Sequence, residues 1–210
     1  MKHRYIVVEG SIGSGKNVLS RRLATYFGAR LIREDSQKNP FLLPFYLNAS
    51  QHGLAMQLHF LYERSEIIRT ICDEEEQGNR VISDFLLEKD QIFAPIVLDD
   101  KELDLYWKIR RKIMPEFIRP DLLIYLQCSP ETAQRRLSAQ EKNEQHIFPE
   151  GYLQQVTDEY GRFFHLYNEV PMLIANADEL DFGHNDDHFE LLLRTMSSFR
   201  GQRHYLNLSE

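Results

Sequence analysis

Eight residues, Glu9-Gly10-Ser11-Ile12-Gly13-Ser14-Gly15-Lys16, constrain this chain more than any other stretch. They follow a short apolar run, Tyr5-Ile6-Val7-Val8, and precede a helical pattern from Val18-Leu19 through Leu23 to Tyr26-Phe27. A strand, a glycine-rich turn and a helix opening on lysine together make a cradle for phosphate. The glycines let successive backbone N–H groups point inward, where a Cβ would clash. The helix N-terminus adds partial positive charge, and Lys16 neutralises the outer phosphates. The next position in such loops is serine or threonine, whose hydroxyl binds Mg²⁺; here it is Asn17. The stretch therefore implies a nucleoside-triphosphate site over Gly10, Ser11, Ile12, Gly13, Ser14, Gly15, Lys16 and Asn17, with an amide where a metal-binding hydroxyl belongs. Two readings of Asn17 stay open. Its side-chain oxygen still faces the metal, more weakly than a hydroxyl, or metal binding has relaxed.

The 210 residues suit one domain with a full core, and we expect 1–210 to form it. A net charge of −7 argues against polymeric nucleic acid as a partner. A small phosphate-bearing ligand needs only local positive charge and remains open. The two cysteines, Cys72 and Cys128, show neither metal spacing nor a pairing pattern. With no leader-like segment, the expectation is a reducing cytoplasm. No apolar run is long enough to span a bilayer, so no membrane is expected.

Five short runs read as strands: Tyr5–Glu9, Arg30–Glu34, Arg80–Asp84, Leu122–Leu126 and Pro171–Ala175. Their apolar, non-alternating character suggests burial on both faces. Leu54, Leu58, Leu61, Ser65, Ile68 and Cys72 recur at helical spacing, which predicts a long helix from about 54 to 77. Residues 103–117, 130–139 and 152–167 also read as helices. Alternating strands and helices imply an α/β fold with a five-stranded parallel sheet. Ligands in such sheets sit beyond the carboxyl ends of the strands, where the phosphate loop, Glu34, Asp84 and Gln127 fall. A carboxylate there can take the proton of an acceptor hydroxyl in phosphoryl transfer. A second can hold Mg²⁺ or its waters.

Taken together, the chain resembles the deoxynucleoside kinases, of the bacterial deoxyadenosine and deoxyguanosine kinase type, from Tyr5 to about Phe189. Besides the loop, the resemblance rests on Glu34-Asp35, Asn39-Pro40-Phe41-Leu42 with Phe45-Tyr46, Gln57 with Arg64, Ser83-Asp84-Phe85 with Asp90, Ser129-Pro130-Glu131 with Arg136, and Asn143-Glu144-Gln145 with Tyr152. It implies a P-loop kinase fold with a short lid at about 138–148, ATP as donor, Mg²⁺ and a homodimer built through long helices. It implies roles as well. Glu34 would be the base on the 5′-hydroxyl, and Lys16, Arg136 and Lys142 would hold phosphates. Asn17 and Asp84 would hold Mg²⁺, partly through water. Gln57 would read the base edge, Arg64 and Asp90 would pair beside it, and Phe41, Phe45, Tyr46 or Phe93 would stack on it. Glu144 would bind the sugar 3′-hydroxyl. The Arg64–Asp90 pair goes with adenine, guanine or cytosine rather than thymine.

Three positions depart from the family pattern. Asn17 replaces the metal-binding hydroxyl. Phe85 stands where an arginine aligns the phosphates and the base carboxylate. Gln140 stands where a lid arginine is usual. These leave two further readings open: a nucleotide-binding homologue with weak or no activity, and a nucleoside-monophosphate kinase of the thymidylate type. Two other features read as scaffold. His184 and His188 flank Asp186 and Asp187 at an acidic helix start, and Asp158-Glu159-Tyr160-Gly161 lies inside a predicted helix. The tail from Arg200 to Tyr205 is a last strand or an ordered arm.

Overall fold

A computed structural model describes residues 3–116, 118–139 and 148–208. The strands are β1 Tyr5–Gly10, β2 Arg30–Ile32, β3 Val81–Ser83, β4 Leu122–Gln127, β5 Met172–Asn176 and β6 Arg203–Leu206. They form one parallel sheet in the order β2-β3-β1-β4-β5-β6. Successive side chains on a strand point to opposite faces, and each face here carries its own core. Tyr5, Val7, Leu123, Tyr125, Met172 and Ile174 pack on one side. Ile6, Val8, Leu122, Ile124, Leu173 and Ala175 pack on the other. This double burial removes any polar alternation from the strands.

Among the described residues the sheet has six strands, where five were expected. The sixth is the basic tail, whose Arg203 pairs with Met172 and Tyr205 with Ile174. It lies at one end of the strand order, and of its four residues only Leu206 is buried, as suits an outer strand. The Arg203 guanidinium also caps a helix end, donating to the carbonyls of Phe164 at 2.9 Å and Tyr167 at 2.8 Å.

The helices are α1 Lys16–Phe27, α2 Leu42–Leu47, α3 Ala49–Glu76, α4 Asp90–Val97, α5 Asp100–Ile113, α6 Pro130–Ala139, α7 Tyr152–Leu166 and α8 Asp186–Ser198. α3 begins five residues before the expected start at 54. Gly53 falls inside it because α4 crosses there: a Cβ on Gly53 would lie 2.7 Å from Val97 Cγ1. α5 starts on a capping box, in which Asp99 accepts from the backbone of Lys101 and Glu102 and Glu102 reaches back. Asn185 caps α8, so the Asp186-Asp187 pair is an acidic helix start. No helix among the described residues is long and apolar enough to cross a membrane.

Candidate active site

β1 ends at Gly10, and the chain turns through the glycine loop into α1. Gly13 and Gly15 have φ of 81° and 92°, the left-handed region where a Cβ is costly. At Gly13 there is also no room, since a Cβ would sit 2.8 Å from the Ala133 carbonyl oxygen on α6. Lys16 Nζ donates to the carbonyls of Gly10 at 2.9 Å and Ser11 at 3.4 Å. Burial and the neighbouring Lys89 weaken the hold of that ammonium on its proton. The hydroxyls of Ser11 and Ser14 are buried with no hydrogen-bond partner among the described residues. Convergent N–H groups, a nearby lysine and orphaned hydroxyls suit a polyphosphate.

One residue missed in the sequence holds this loop in place. Glu9 is fully buried. Its Oε1 accepts from the Gly10 N–H at 2.8 Å and the Tyr160 hydroxyl at 3.1 Å, and its Oε2 accepts from the Leu86 N–H at 2.7 Å. It ties the loop, α7 and the segment after β3 into one unit. Arg136 braces the loop from the other side. Its guanidinium donates to the Ser14 carbonyl at 2.8 Å and the Ala177 carbonyl at 2.6 Å.

The loop opens into a cleft of about 910 Å³ whose walls include Gly13, Lys16, Asn17, Glu34, Gln57 and Arg64. Asp84, Lys89, Phe93, Arg136 and Tyr46 also face it. Asn39 fixes the approach to α3. It is buried, donates to the Met56 carbonyl at 3.0 Å and accepts from the Phe41 N–H at 3.0 Å.

Glu34 lies at the centre of the cleft's charge. Arg64 Nε donates to its Oε1 at 2.6 Å, and Lys89 Nζ donates to its Oε2 at 2.8 Å. Its own N–H donates to Asp84 Oδ1 at 3.0 Å. Burial alone would raise the Glu34 carboxyl, but the Arg64 and Lys89 cations outweigh it and hold it at about 2. Asp84 differs: burial pushes it up to about 6, despite the Glu34 N–H and the Lys89 and Lys16 ammoniums. Two carboxyl groups on one cleft thus have opposite proton affinities.

The expected partnership of Arg64 with Asp90 is arranged differently. Arg64 spends its hydrogen bond on Glu34. Asp90, fully buried, accepts from Arg110 Nε at 2.5 Å and the Tyr106 hydroxyl at 3.3 Å. Arg110 and Tyr106 both come from α5, whose packing against α4 the sequence did not reveal. Asp90 still acts on Arg64 electrostatically. Gln57 Oε1, Arg64 NH1 and Asp90 Oδ1 are buried with no hydrogen-bond partner among the described residues.

The expected aromatic contacts divide. Tyr46 and Phe93 line the cleft. Phe45 is 1% exposed, packs on Tyr46 and Tyr152, and belongs to the core. Adjacent positions on a helix point about 100° apart, so α2 can send one ring to the cleft and the next inward. Asn17 is exposed at the cleft. An amide and a carboxylate are oxygen donors that fit a Mg²⁺ keeping most of its waters. Lys142, Glu144 and Gln140 lie outside the described residues. The far end of the cleft is walled by Asp178, Glu179, Asp181, Phe182, Gly183 and His184, which the sequence did not single out as a group. His184 and His188 both turn to Asp181, and among the described residues no cluster of His, Cys, Asp and Glu forms a metal centre.

Known proteins resemble this chain in sequence and in fold. The chain is 28% identical over 191 residues to a deoxyguanosine kinase of Bacillus subtilis, covering 89% of this chain and 92% of that one. It is 25% identical over 181 residues to a deoxyadenosine kinase of Dictyostelium discoideum, covering 83% and 73% of the two. The structure of a deoxyadenosine kinase from M. mycoides with bound dCTP superimposes with a TM-score of 0.78 at 21% identity, covering 93% of this chain and all of that one. The family model described as deoxynucleoside kinase matches residues 6–200, so the chain belongs to the deoxynucleoside kinase family.

Proposed function

We propose that this kinase transfers the γ-phosphoryl group of ATP, with Mg²⁺, to the 5′-hydroxyl of deoxyadenosine, deoxyguanosine or deoxycytidine in preference to thymidine. The observation that supports the reading is a pair of polar atoms on the cleft wall, Gln57 Oε1 and Arg64 NH1, that are buried with no hydrogen-bond partner among the described residues. Such atoms are costly to bury unless a ligand satisfies them. An amide oxygen accepts from an exocyclic amino group, and a guanidinium donates to a ring nitrogen or carbonyl. Phe93 and Tyr46 line the cleft and would cover the flat faces of a base.

In the reaction, the 5′-oxygen forms a bond to the γ-phosphorus while the bond from that phosphorus to the bridging oxygen breaks. ADP leaves, and the hydroxyl proton passes to the Glu34 carboxylate. Lys16 and the loop N–H groups hold the phosphates in line, and Arg136 takes charge developing on the transferring group. By the family resemblance, Lys142 would hold donor phosphates and Glu144 would bind the sugar 3′-hydroxyl. Asn17 and Asp84 would hold Mg²⁺, partly through water, and the ion would supply neutralisation of the phosphate charge.

We read 1–210 as one cytoplasmic domain that pairs with a second copy across α3 and α5. Tyr62 is 55% and Leu105 46% exposed there, beside the partly buried Leu54, Leu58 and Trp107. The substrate reading is tested by transfer rates from ATP to each of the four deoxynucleosides. The three amino-bearing bases should be preferred, and Gln57→Leu should cut kcat/KM for them by about 10²-fold. A preference for thymidine, or a Gln57→Leu enzyme with unchanged kcat/KM, would refute it.

A further inference from the structure

Position 85 contributes no charge to the cleft. Phe85 is fully buried in the core beneath α3 and α7, between Ser83 and the buried run Leu86-Leu87. The second cation on Glu34 comes from four residues further on. Lys89 closes a single 3-10 turn, Leu87–Lys89, and caps α4. Its side chain is 11% exposed, its Nζ lies 2.8 Å from Glu34 Oε2, and it forms part of the cleft wall. The Phe93 ring, one turn along α4, covers the ammonium at 5.4 Å. Among the described residues Glu34 is the one hydrogen-bond acceptor of this ammonium, which has three donors to give.

We propose that Lys89 is a positioning residue for phosphoryl transfer, fixing the Glu34 carboxylate and supplying the cation that Phe85 cannot. The inference rests on the kinase reading above. Its geometry is a clamp with two jaws. Arg64 grips Oε1 and Lys89 grips Oε2, so the plane of the carboxylate is set from both sides. Arg64, 2% exposed, is held deep in the wall. Lys89 is a point charge on a flexible stem. It is therefore the jaw able to give way when a hydroxyl approaches Oε2, and to turn its remaining donors toward phosphate oxygens. It is also close enough to Lys16 to weaken that ammonium's hold on its proton, which places both cations around the same space.

The test compares wild type, Lys89→Met, Lys89→Arg, Glu34→Gln and the double variant Glu34→Gln/Lys89→Met. Turnover is measured with ATP, Mg²⁺ and the best deoxynucleoside, and the affinity of ATP and of that nucleoside by calorimetry. Lys89→Met should lower kcat by about 10²-fold, the cost of misplacing a reacting group by about 1 Å, with both affinities within about threefold of wild type. Lys89→Arg should recover turnover to within about tenfold. In the Glu34→Gln background, Lys89→Met should cost almost nothing further, because the pair acts as a unit. Lys89→Gln replaces Lys89→Met if methionine at this buried place prevents folding. Full turnover in Lys89→Met, equal losses in the Met and Arg variants, or multiplicative losses in the double variant would overturn the proposal while leaving the kinase reading intact. A wild-type protein that transfers phosphate to no nucleoside would overturn both.

Discussion

Replacing Glu34 by glutamine should destabilise the protein at neutral pH by an amount that disappears in acid. The carboxyl sits at about 2 against an ordinary value of 4.5, held there by Arg64 and Lys89 against the opposing effect of burial. The folded protein therefore binds this proton less readily than the unfolded chain does. The charged form contributes stability above about pH 4.5, and that contribution is lost as pH falls toward about 2. The gap corresponds to about 3 kcal/mol at pH 7. Glutamine mimics the protonated group, leaving Arg64 and Lys89 buried beside a neutral amide. Direct experience with broken buried ion pairs gives about 3–5 kcal/mol, in agreement. For a chain of this length the loss should lower Tm by about 6–12 °C. Urea unfolding at pH 7, 5, 4 and 3 would follow it. The difference between wild type and Glu34→Gln should be about 3 kcal/mol at pH 7 and shrink to about 1 kcal/mol at pH 3. A difference below about 0.5 kcal/mol at pH 7, or one that does not change with pH, would refute the electrostatic assignment at Glu34.

Other substitutions probe the rest of the site. Gly13→Ala places a Cβ 2.8 Å from the Ala133 carbonyl at a φ of 81°; it should cost about 1–3 kcal/mol in a melt and abolish ATP binding by titration, and near-normal binding would show that the loop yields. Arg110→Met leaves the fully buried Asp90 with the Tyr106 hydroxyl alone; urea unfolding should show a loss of about 3–5 kcal/mol, and a loss under 1 kcal/mol would deny the pair its structural weight. Arg136→Ala removes the brace from Ser14 to Ala177; kcat should fall about 10³-fold, and unchanged turnover would remove Arg136 from the site. Asn17→Ser should raise turnover at limiting Mg²⁺ if the amide is a poor metal ligand, and an unchanged Mg²⁺ titration would place the metal elsewhere.

What the residues reveal in order along the chain survives well in the structure. The phosphate loop, the strands β1 to β5 and the long helix α3 are local patterns, and each forms where the pattern lies, within a few residues. The carboxylates Glu34 and Asp84 meet at one cleft because parallel strands bring their carboxyl ends together. The parts that escaped are contacts between distant elements. Lys89 and Glu34 are 55 residues apart, and Arg110 reaches Asp90 only because α5 packs on α4. Neither pairing has a spacing to read. Glu9 escaped for another reason: a carboxylate inside an otherwise apolar strand looks like part of the motif, and only its three hydrogen bonds show it to be a scaffold. The tail strand β6 lacks the apolar run of the inner strands, so its basic residues fit an arm equally well until β5 is seen to pair with it.

The departures at Asn17 and Phe85 now weigh differently. Phe85 is a core residue, and a cation, Lys89, pairs with the Glu34 carboxylate. Asn17 still faces the cleft with an oxygen to offer. Both observations favour an active kinase over a silent binding homologue.

Acceptor choice is the most direct test. ATP and Mg²⁺ are offered with deoxyadenosine, deoxyguanosine, deoxycytidine and thymidine, and in parallel with the four corresponding 5′-monophosphates, using Lys16→Ala as the blank. Phosphate should pass to one or more amino-bearing nucleosides, giving the 5′-monophosphate, and to none of the monophosphates. Transfer to monophosphates alone, or no transfer above the Lys16→Ala blank while ATP still binds, would contradict the assignment of this cleft to nucleoside phosphorylation.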